Sequence, residues 1–327
     1  MTIHLMPSVQ MGASAVKFLR TLSIRGRLMG IALLSLLSVL FLGNLFVTQS
    51  LKDVNFAKRE IAGNAILAAL LSDLPVSAVG GAVPSPDTAQ TIKTFGEAAG
   101  VDPSKPLFTG DTPRASVIGA ITEVGNTSNL ILDPDLDSFY VMDALVTRLP
   151  RTVDMAVSLV DQYRSVANLP NISRDDRIEL VALLASLRSA ADSVEEAVGF
   201  AKKNNPGGTV VTLDEDVGFF LLQARALAHV ASLSIDILGR SIDAVDQSPL
   251  NAAYASFLDS AAKLGASGTQ ELGHLLAARI DGLMFKLAMA LAAALGLVGF
   301  AFLFTWIFAK GILSNVHRLE ADIRGAG

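Results

Sequence analysis

The segment with the strongest chemical suggestion carries three alternating aspartates, Asp133, Asp135 and Asp137. Alternating carboxylates also open the calcium-binding loop of an EF-hand. That loop is not completed here, because Ser138 stands in place of the turn glycine and Ala144 in place of the bidentate glutamate. We therefore expect no calcium site, and we expect Asp135 or Asp133 to cap the next helix.

An aromatic residue and two arginines follow on the same predicted helix. An arginine on the inner side of a helical bundle can hold a ligand carboxylate through two parallel hydrogen bonds. The candidate ligand-binding residues are therefore Asp133, Asp137, Tyr140, Arg148 and Arg151. The alternative is that these arginines are solvated or paired with neighbouring aspartates.

Residues for catalysis are scarce. The four histidines, His4, His229, His274 and His317, are isolated in the sequence. They form neither an HExxH metal motif nor part of a GxSxG nucleophile elbow, and the sequence has no Walker loop. We predict that the chain is not an enzyme and has no catalytic residues, metal site or cofactor.

Two long apolar stretches flank the part of the chain that contains the candidate ligand-binding residues. The chain is 51% hydrophobic and 17% charged, with a mean hydropathy of +0.48. No charged residue occurs in residues 28–47 or in residues 287–309. Each stretch is long enough, as a helix, to cross a hydrocarbon core of roughly 30 Å. We predict two transmembrane helices, the first retained because its apolar run exceeds that of a signal peptide.

The distribution of charge predicts the orientation of these spans. Lys17, Arg20, Arg25 and Arg27 precede the first span without any acidic residue. Residues 50–283 hold 29 of the 31 acidic residues but 18 of the 26 basic ones. By the positive-inside rule, both termini are cytoplasmic and the acidic middle is periplasmic, in a bacterial inner membrane. The acidic middle also argues against nucleic acid as a partner.

The predicted organisation has five parts. A basic cytoplasmic segment covers 1–27, the spans cover 28–47 and 287–309, a periplasmic helical domain covers 48–286, and a short linker covers 310–327. Apolar residues recur at helical spacing, most clearly in residues 180–198 and 217–238, and no strand pattern appears, so the fold class is all-α. Amphipathic helices bury their stripes against one another, which predicts an antiparallel helical bundle, possibly two stacked four-helix bundles.

Capping and proline signals predict where the helices begin. The N-terminal pairs are Asp87 with Gln90, Thr112 with Pro113, Ser173 with Asp176, and Thr212 with Glu215. Gly100 and Gly239 are predicted helix ends. No proline occurs between Ser8 and Leu74 or after Pro249, so the first span is expected to continue into the domain and a helix from about Asn251 to run through the second span. The glycines at 265, 268, 273 and 282 are candidate breaks in that helix.

Two segments resemble parts of a known family. AKGILSNVHRLEADIRGAG, residues 309–327, resembles the opening of a HAMP helix, and SNLILDPDLDSFYVMDALVTRLP, residues 128–150, resembles a segment of helical sensor domains. The layout is similar to the input half of a methyl-accepting chemotaxis protein or a sensor histidine kinase. The resemblance implies a homodimer in membrane lipid that senses a periplasmic small molecule or a binding protein. A kinase or cyclase input module and a non-signalling membrane bundle remain alternatives.

Overall fold

The computed structural model describes residues 24–167, 169, 171–238 and 246–325. Regular structure within these ranges is helical, without strands, which confirms the predicted all-α class. Residues 1–23 of the predicted basic segment 1–27 and the predicted helix end at Gly239 lie outside the described residues. The helices are α1 (Ile24–Ala78), α2 (Pro86–Ala99), α3 (Pro113–Thr127), α4 (Leu136–Asp143), α5 (Leu149–Ala167), α6 (Arg174–Asn204), α7 (Asp214–Ile237) and α8 (Ser248–Gly325).

The chain divides into two compact units. One comprises Met1–Asp53 with Gly282–Gly327, and the other comprises Val54–Asp281. Both α1 and α8 contribute residues to each unit.

Within the described ranges, three helical stretches are long and apolar enough to cross a membrane: Leu33–Ala78, Thr209–Ile237 and Ser248–Phe308. They differ in how far their most apolar part is buried by protein. That share is 6% in the first and third stretches and 44% in the second. The first and third overlap the two predicted spans, 28–47 and 287–309, and the second is an additional candidate that was not predicted as a span.

Within Val54–Asp281, the helices pack around a continuous apolar core. The parts of α1 and α8 in this unit run antiparallel: Tyr254 near the start of α8 donates a hydrogen bond to the carbonyl of Ala78 at the end of α1, whereas Arg279, farther along α8, contacts Glu60, which lies earlier in α1. The predicted apolar stripes of α6 and α7 face this core. Their buried members are Leu180, Leu184, Leu187, Ala191, Val194 and Val198 on α6, and Val217, Phe220, Leu221, Ala224, Leu227, Ala231 and Ile235 on α7.

The predicted continuity of α1 and α8 is confirmed. The helix α8 runs unbroken through all four glycines, so the expectation that they break it is wrong. A Cβ at Gly268 would lie 2.6 Å from the Leu145 side chain, and one at Gly265 would lie 3.3 Å from Leu71. These two glycines permit close packing of α8 against its neighbours.

Two of the four predicted N-terminal caps form. The Thr112 hydroxyl accepts a hydrogen bond of 3.1 Å from the Ala115 N–H at the start of α3. Ser173 and Asp176 form a reciprocal capping box at the start of α6. Each cap satisfies a backbone donor that the first helical turn leaves without a partner.

The other two predicted caps are wrong. At the start of α2, the hydroxyl of Ser85 accepts from the Thr88 N–H, so the helix begins earlier than Asp87 suggested. Thr212 lies within a 3₁₀ turn, Thr209–Leu213, that leads directly into α7 without a side-chain cap. Gly100 does end α2, with a φ of 76° that favours glycine.

Candidate functional site

The most concentrated group of polar side chains surrounds Arg279 on α8. Its Nη1 donates to Glu60 Oε2 of α1 at 2.8 Å, and its Nε donates to Asp135 Oδ2 at 2.6 Å. Its Nη2 donates to Asp133 and, at 2.9 Å, to the Ser138 hydroxyl on α4. We call these five residues the Arg279 cluster. The planar guanidinium suits this role because its donors point in several fixed directions.

The Arg279 cluster lies inside the domain. The Glu60 and Asp133 side chains are 0% exposed and that of Arg279 is 10% exposed, whereas that of Asp135 is 55% exposed. Three carboxyl groups face one guanidinium, so full ionisation would leave an excess of negative charge in a poorly solvated place. Glu60 Oε1 and Asp133 Oδ2 are buried without a hydrogen-bond partner among the described residues.

Burial and charge shift the protonation of the two enclosed carboxyl groups. Burial, together with the charges of Asp133 and Asp135, raises the pKa of Glu60 to about 8 against the lowering effect of Arg279. Burial also raises the pKa of Asp133, against the opposing effects of the Asp135 N–H and of Arg279. Glu60 is therefore largely protonated at neutral pH.

The connection between α3 and α4 places Asp133 in the cluster. It folds into a 3₁₀ turn, Leu130–Leu132, and Asp133 Oδ1 accepts a hydrogen bond of 2.9 Å from the Asp135 N–H. A Cβ at Gly63 of α1 would lie 2.2 Å from Ser128, so only glycine allows this connection to lie against α1. Asp135 occupies the N-cap position of α4, but its side chain makes no capping hydrogen bond. The predicted capping by these aspartates is therefore wrong.

Asp137 and Tyr140, two of the predicted site residues, contact α6 and its C-terminal end instead of the Arg279 cluster. Asp137 Oδ2 accepts a hydrogen bond of 2.7 Å from the Asn205 side chain. The Tyr140 ring stacks on Phe200 with centroids 5.2 Å apart. Both contacts attach α4 to α6.

The guanidinium of Arg148 also has protein partners. It donates to Asp143 at 2.6 Å and to the Ser193 carbonyl at 2.7 Å, and it pairs with Glu196 at 3.4 Å. It belongs to a π turn, Ala144–Arg148, that joins α4 to α5. The alternative in which arginines pair with neighbouring acids therefore holds for Arg148.

Arg151 lies at a separate cleft of about 350 Å3 between α3 and the start of α5. The Arg151 side chain is exposed and has no partner among the described residues. Asp154 in the same cleft is paired with Arg114 at 3.0 Å. The lining residues are Ile118, Thr122, Asn126, Ile131, Val146, Thr147, Pro150, Arg151 and Asp154. An available guanidinium above apolar walls is suited to a small organic anion.

Comparison with known proteins does not place the chain in a family. No family model, curated protein or solved structure matches it. The resemblance of residues 309–327 to a HAMP helix therefore stays a prediction, and the function is inferred from the geometry of the described residues.

Sequence reasoning missed the centre of the site. Arg279 and Glu60 lie on different long helices, 219 positions apart. Glu60 shares the helical spacing of the buried Ala57 and Leu67, so it falls on the apolar face of α1. A charged residue on the apolar face of a helix is the signal that indicates a buried ion pair, since charges are seldom buried without a partner. Of the five predicted site residues, only Asp133 joins the cluster, and the five do not converge on one site.

Proposed function

We propose that the chain is the input module of a bacterial transmembrane chemoreceptor. In this proposal it senses a periplasmic small molecule or binding protein and transmits the signal to a cytoplasmic output domain. One observation carries the proposal: α1 and α8 each combine an exposed apolar segment of membrane-spanning length with a segment packed in the helical domain. The same two helices are joined inside the domain by Arg279 and Glu60.

Exposed side chains support membrane insertion of both segments. Phe41 is 63% exposed on α1, and Leu295 and Phe302 are 72% and 74% exposed on α8. Such continuous apolar surface is costly in water and is suited to lipid. Trp306 lies near the end of the second span with Lys310 Nζ 5.2 Å from its ring centre, a combination typical of the membrane interface.

We assign the second apolar stretch, Thr209–Ile237, to the outer domain. Its most apolar part is 44% buried by protein, and its helix α7 begins with Asp214, Glu215 and Asp216. Arg225 in the middle of α7 faces Asp192 and Glu195 of α6 at 3.4 Å. A lipid environment would strip water from these charges at high cost. The proposal therefore has two spans, with both termini in the cytoplasm.

The Arg151 cleft is the proposed ligand site. It combines a guanidinium without a protein partner among the described residues, the hydrogen-bonding side chains of Thr122 and Asn126, and apolar walls. A small carboxylate would bind Arg151 and bridge α3 to α5. A ligand of this kind would favour one arrangement of the helices over another, and the bias would reach α8 through the packing of Leu145 on Gly268. A homodimer is part of the proposal.

A thermal-unfolding screen tests this function. The full chain in lipid nanodiscs is heated with a panel of small mono- and dicarboxylates, and the unfolding temperature is recorded. A ligand that binds the folded state raises that temperature in proportion to its occupancy. We expect at least one carboxylate to do so in the wild type and not in Arg151→Gln.

The matched control is Arg188→Gln, which removes an exposed arginine of α6 far from the cleft in sequence. It should keep the ligand effect of the wild type. A panel without effect on the wild type would contradict a small-carboxylate receptor, and an effect retained by Arg151→Gln would contradict the site.

A further inference from the structure

The Arg279 cluster has properties that ligand sensing at the Arg151 cleft does not require. Its three carboxyl groups exceed its one guanidinium, and two of them are completely buried as side chains. A purely structural ion pair would be balanced, because an excess buried charge opposes folding. Asp135 is partly exposed to solvent, so two buried carboxyl groups share one guanidinium, and the one left without a counter-charge is the feature that needs an explanation.

The geometry identifies the carboxyl oxygen of Glu60 that can carry a proton. Glu60 Oε2 already accepts from Arg279, whereas Glu60 Oε1 is buried without a partner among the described residues. A proton on Oε1 leaves the hydrogen bond from Arg279 to Oε2 intact and removes one of the negative charges. Loss of that proton leaves a bare, buried carboxylate oxygen beside Asp133, which also has an oxygen without a partner in the described part of the chain.

We propose that the Arg279 cluster is a protonation switch that holds α1 against α8 when Glu60 is neutral and loosens this contact when alkaline surroundings ionise it. The helices are joined here by few polar contacts. Arg279 to Glu60 is one, and the Asn64 side chain donating to the Thr269 carbonyl at 2.8 Å is another. The excess charge would therefore act directly on the contact between the two helices.

The charged groups that act on Glu60 in the described part of the chain are Asp133, Asp135 and Arg279. The neighbouring Arg59 on α1 is turned away, with its Nε 3.4 Å from the Ala99 carbonyl of α2. On α4, Ser138 contributes a neutral hydroxyl.

Earlier in α8 than Arg279, the buried Glu271 accepts from the Thr209 hydroxyl and has His274 3.8 Å away. Glu271 and His274 form a separate pair, and neither acts on Glu60. The protonation of Glu60 is therefore set within the cluster.

The sign of the pH effect follows from the raised pKa of Glu60. The folded protein holds this proton up to about pH 8, whereas the unfolded chain releases it near 4.5. Folding stability from this group is therefore complete below pH 4.5 and is lost as pH rises towards 8. Asp133, with its own pKa raised, acts in the same direction.

Spin-label distances test the switch in the full chain. The sequence has no cysteine, so nitroxides can be attached to Asn55→Cys on α1 and Ala278→Cys on α8, both exposed positions. In nanodiscs, the distance distribution should be broader and longer at about pH 9 than at about pH 6. The unfolding temperature should fall by roughly 5 °C over the same range.

Glu60→Gln should abolish most of both changes, because the amide cannot ionise. Asp133→Asn is the second variant and should move the transition to lower pH, because the charge of Asp133 raises the pKa of Glu60 in the wild type. Glu123→Gln, at an exposed position of α3, is the matched control and should behave as the wild type.

Identical distance distributions at both pH values in the wild type, or a change that survives in Glu60→Gln, would overturn the switch. Neither outcome bears on ligand binding at the Arg151 cleft, so the failure of this inference is distinguishable from failure of the proposed receptor function.

Discussion

Arg279 and Glu60 join the two long helices of this protein by a hydrogen bond of 2.8 Å that is almost completely shielded from water. Each residue lies on a helix that also contains an apolar segment of membrane-spanning length. The pair is accompanied by Asp133 and Asp135 from the connection before α4. Through Arg279, α8 is joined both to α1 and to the aspartate-rich segment.

Replacement of Arg279 should strongly destabilise the domain. Arg279→Met leaves buried carboxyl groups without their counter-charge, which costs about 3–5 kcal/mol in comparable sites. The loss should be smaller at acidic pH, because protonation of Glu60 and Asp133 removes their charges. Denaturant unfolding of the chain in detergent, followed by circular dichroism at two pH values, measures both effects.

The control for that experiment is Arg188→Met on the exposed surface of α6. It should change the free energy of unfolding by less than about 0.5 kcal/mol. An Arg279→Met variant as stable as this control would contradict the importance of the cluster.

Gly63 should not tolerate a side chain. The Cβ of Gly63→Ala would lie 2.2 Å from Ser128 Cβ, so the connection after α3 must move and stability should fall by about 1–3 kcal/mol. Gly119→Ala on α3 is the matched control, since its Cβ meets nothing within 4 Å. That control should stabilise the helix by about 0.5–1 kcal/mol.

A second substitution checks the cause of the Gly63 effect. Ser128→Gly removes the atoms that the new methyl group meets, so the double variant should recover part of the lost stability. A double variant that is no more stable than Gly63→Ala would show that the close approach to Ser128 is not the reason.

Two of the predicted caps, Ser173 and Thr212, should lose different amounts of stability when they are replaced by alanine. Ser173→Ala removes a capping box at the start of α6 and should cost about 1 kcal/mol. Thr212→Ala should cost less than about 0.5 kcal/mol, because Thr212 lies in a 3₁₀ turn without a capping contact. Equal losses in the two variants, measured by denaturant unfolding, would contradict this assignment.

Helix starts and apolar helix faces were the features that the sequence could predict, and each correct or wrong prediction has a physical reason. Thr112 before Pro113 and Ser173 before Asp176 specify helix starts through neighbouring residues. Asp87 failed because Ser85, two residues earlier, caps the helix by accepting from the Thr88 N–H, so Asp87 lies in the first turn of α2. The apolar stripes of α6 and α7 were readable because burial follows the helical period.

The candidate site was mostly not predictable because its contacts join distant parts of the chain. Arg279 meets Asp135 across 144 positions and Glu60 across 219. The aspartates were correctly marked as unusual, but local reasoning assigned them to capping. Arg148 drew attention as a ligand residue and is in fact held by Asp143 and the Ser193 carbonyl.

Membrane topology is the property on which the two-span receptor depends. The absence of cysteine allows single cysteines at three exposed positions, Ser104, Ser256 and Lys310, in separate variants. Intact spheroplasts are treated with a membrane-impermeant maleimide, with and without permeabilisation. Two spans predict that Ser104→Cys and Ser256→Cys react from outside and that Lys310→Cys reacts only after permeabilisation. Protection of Ser256→Cys together with reaction of Ser104→Cys would show that Thr209–Ile237 crosses the membrane, and would contradict the two-span receptor.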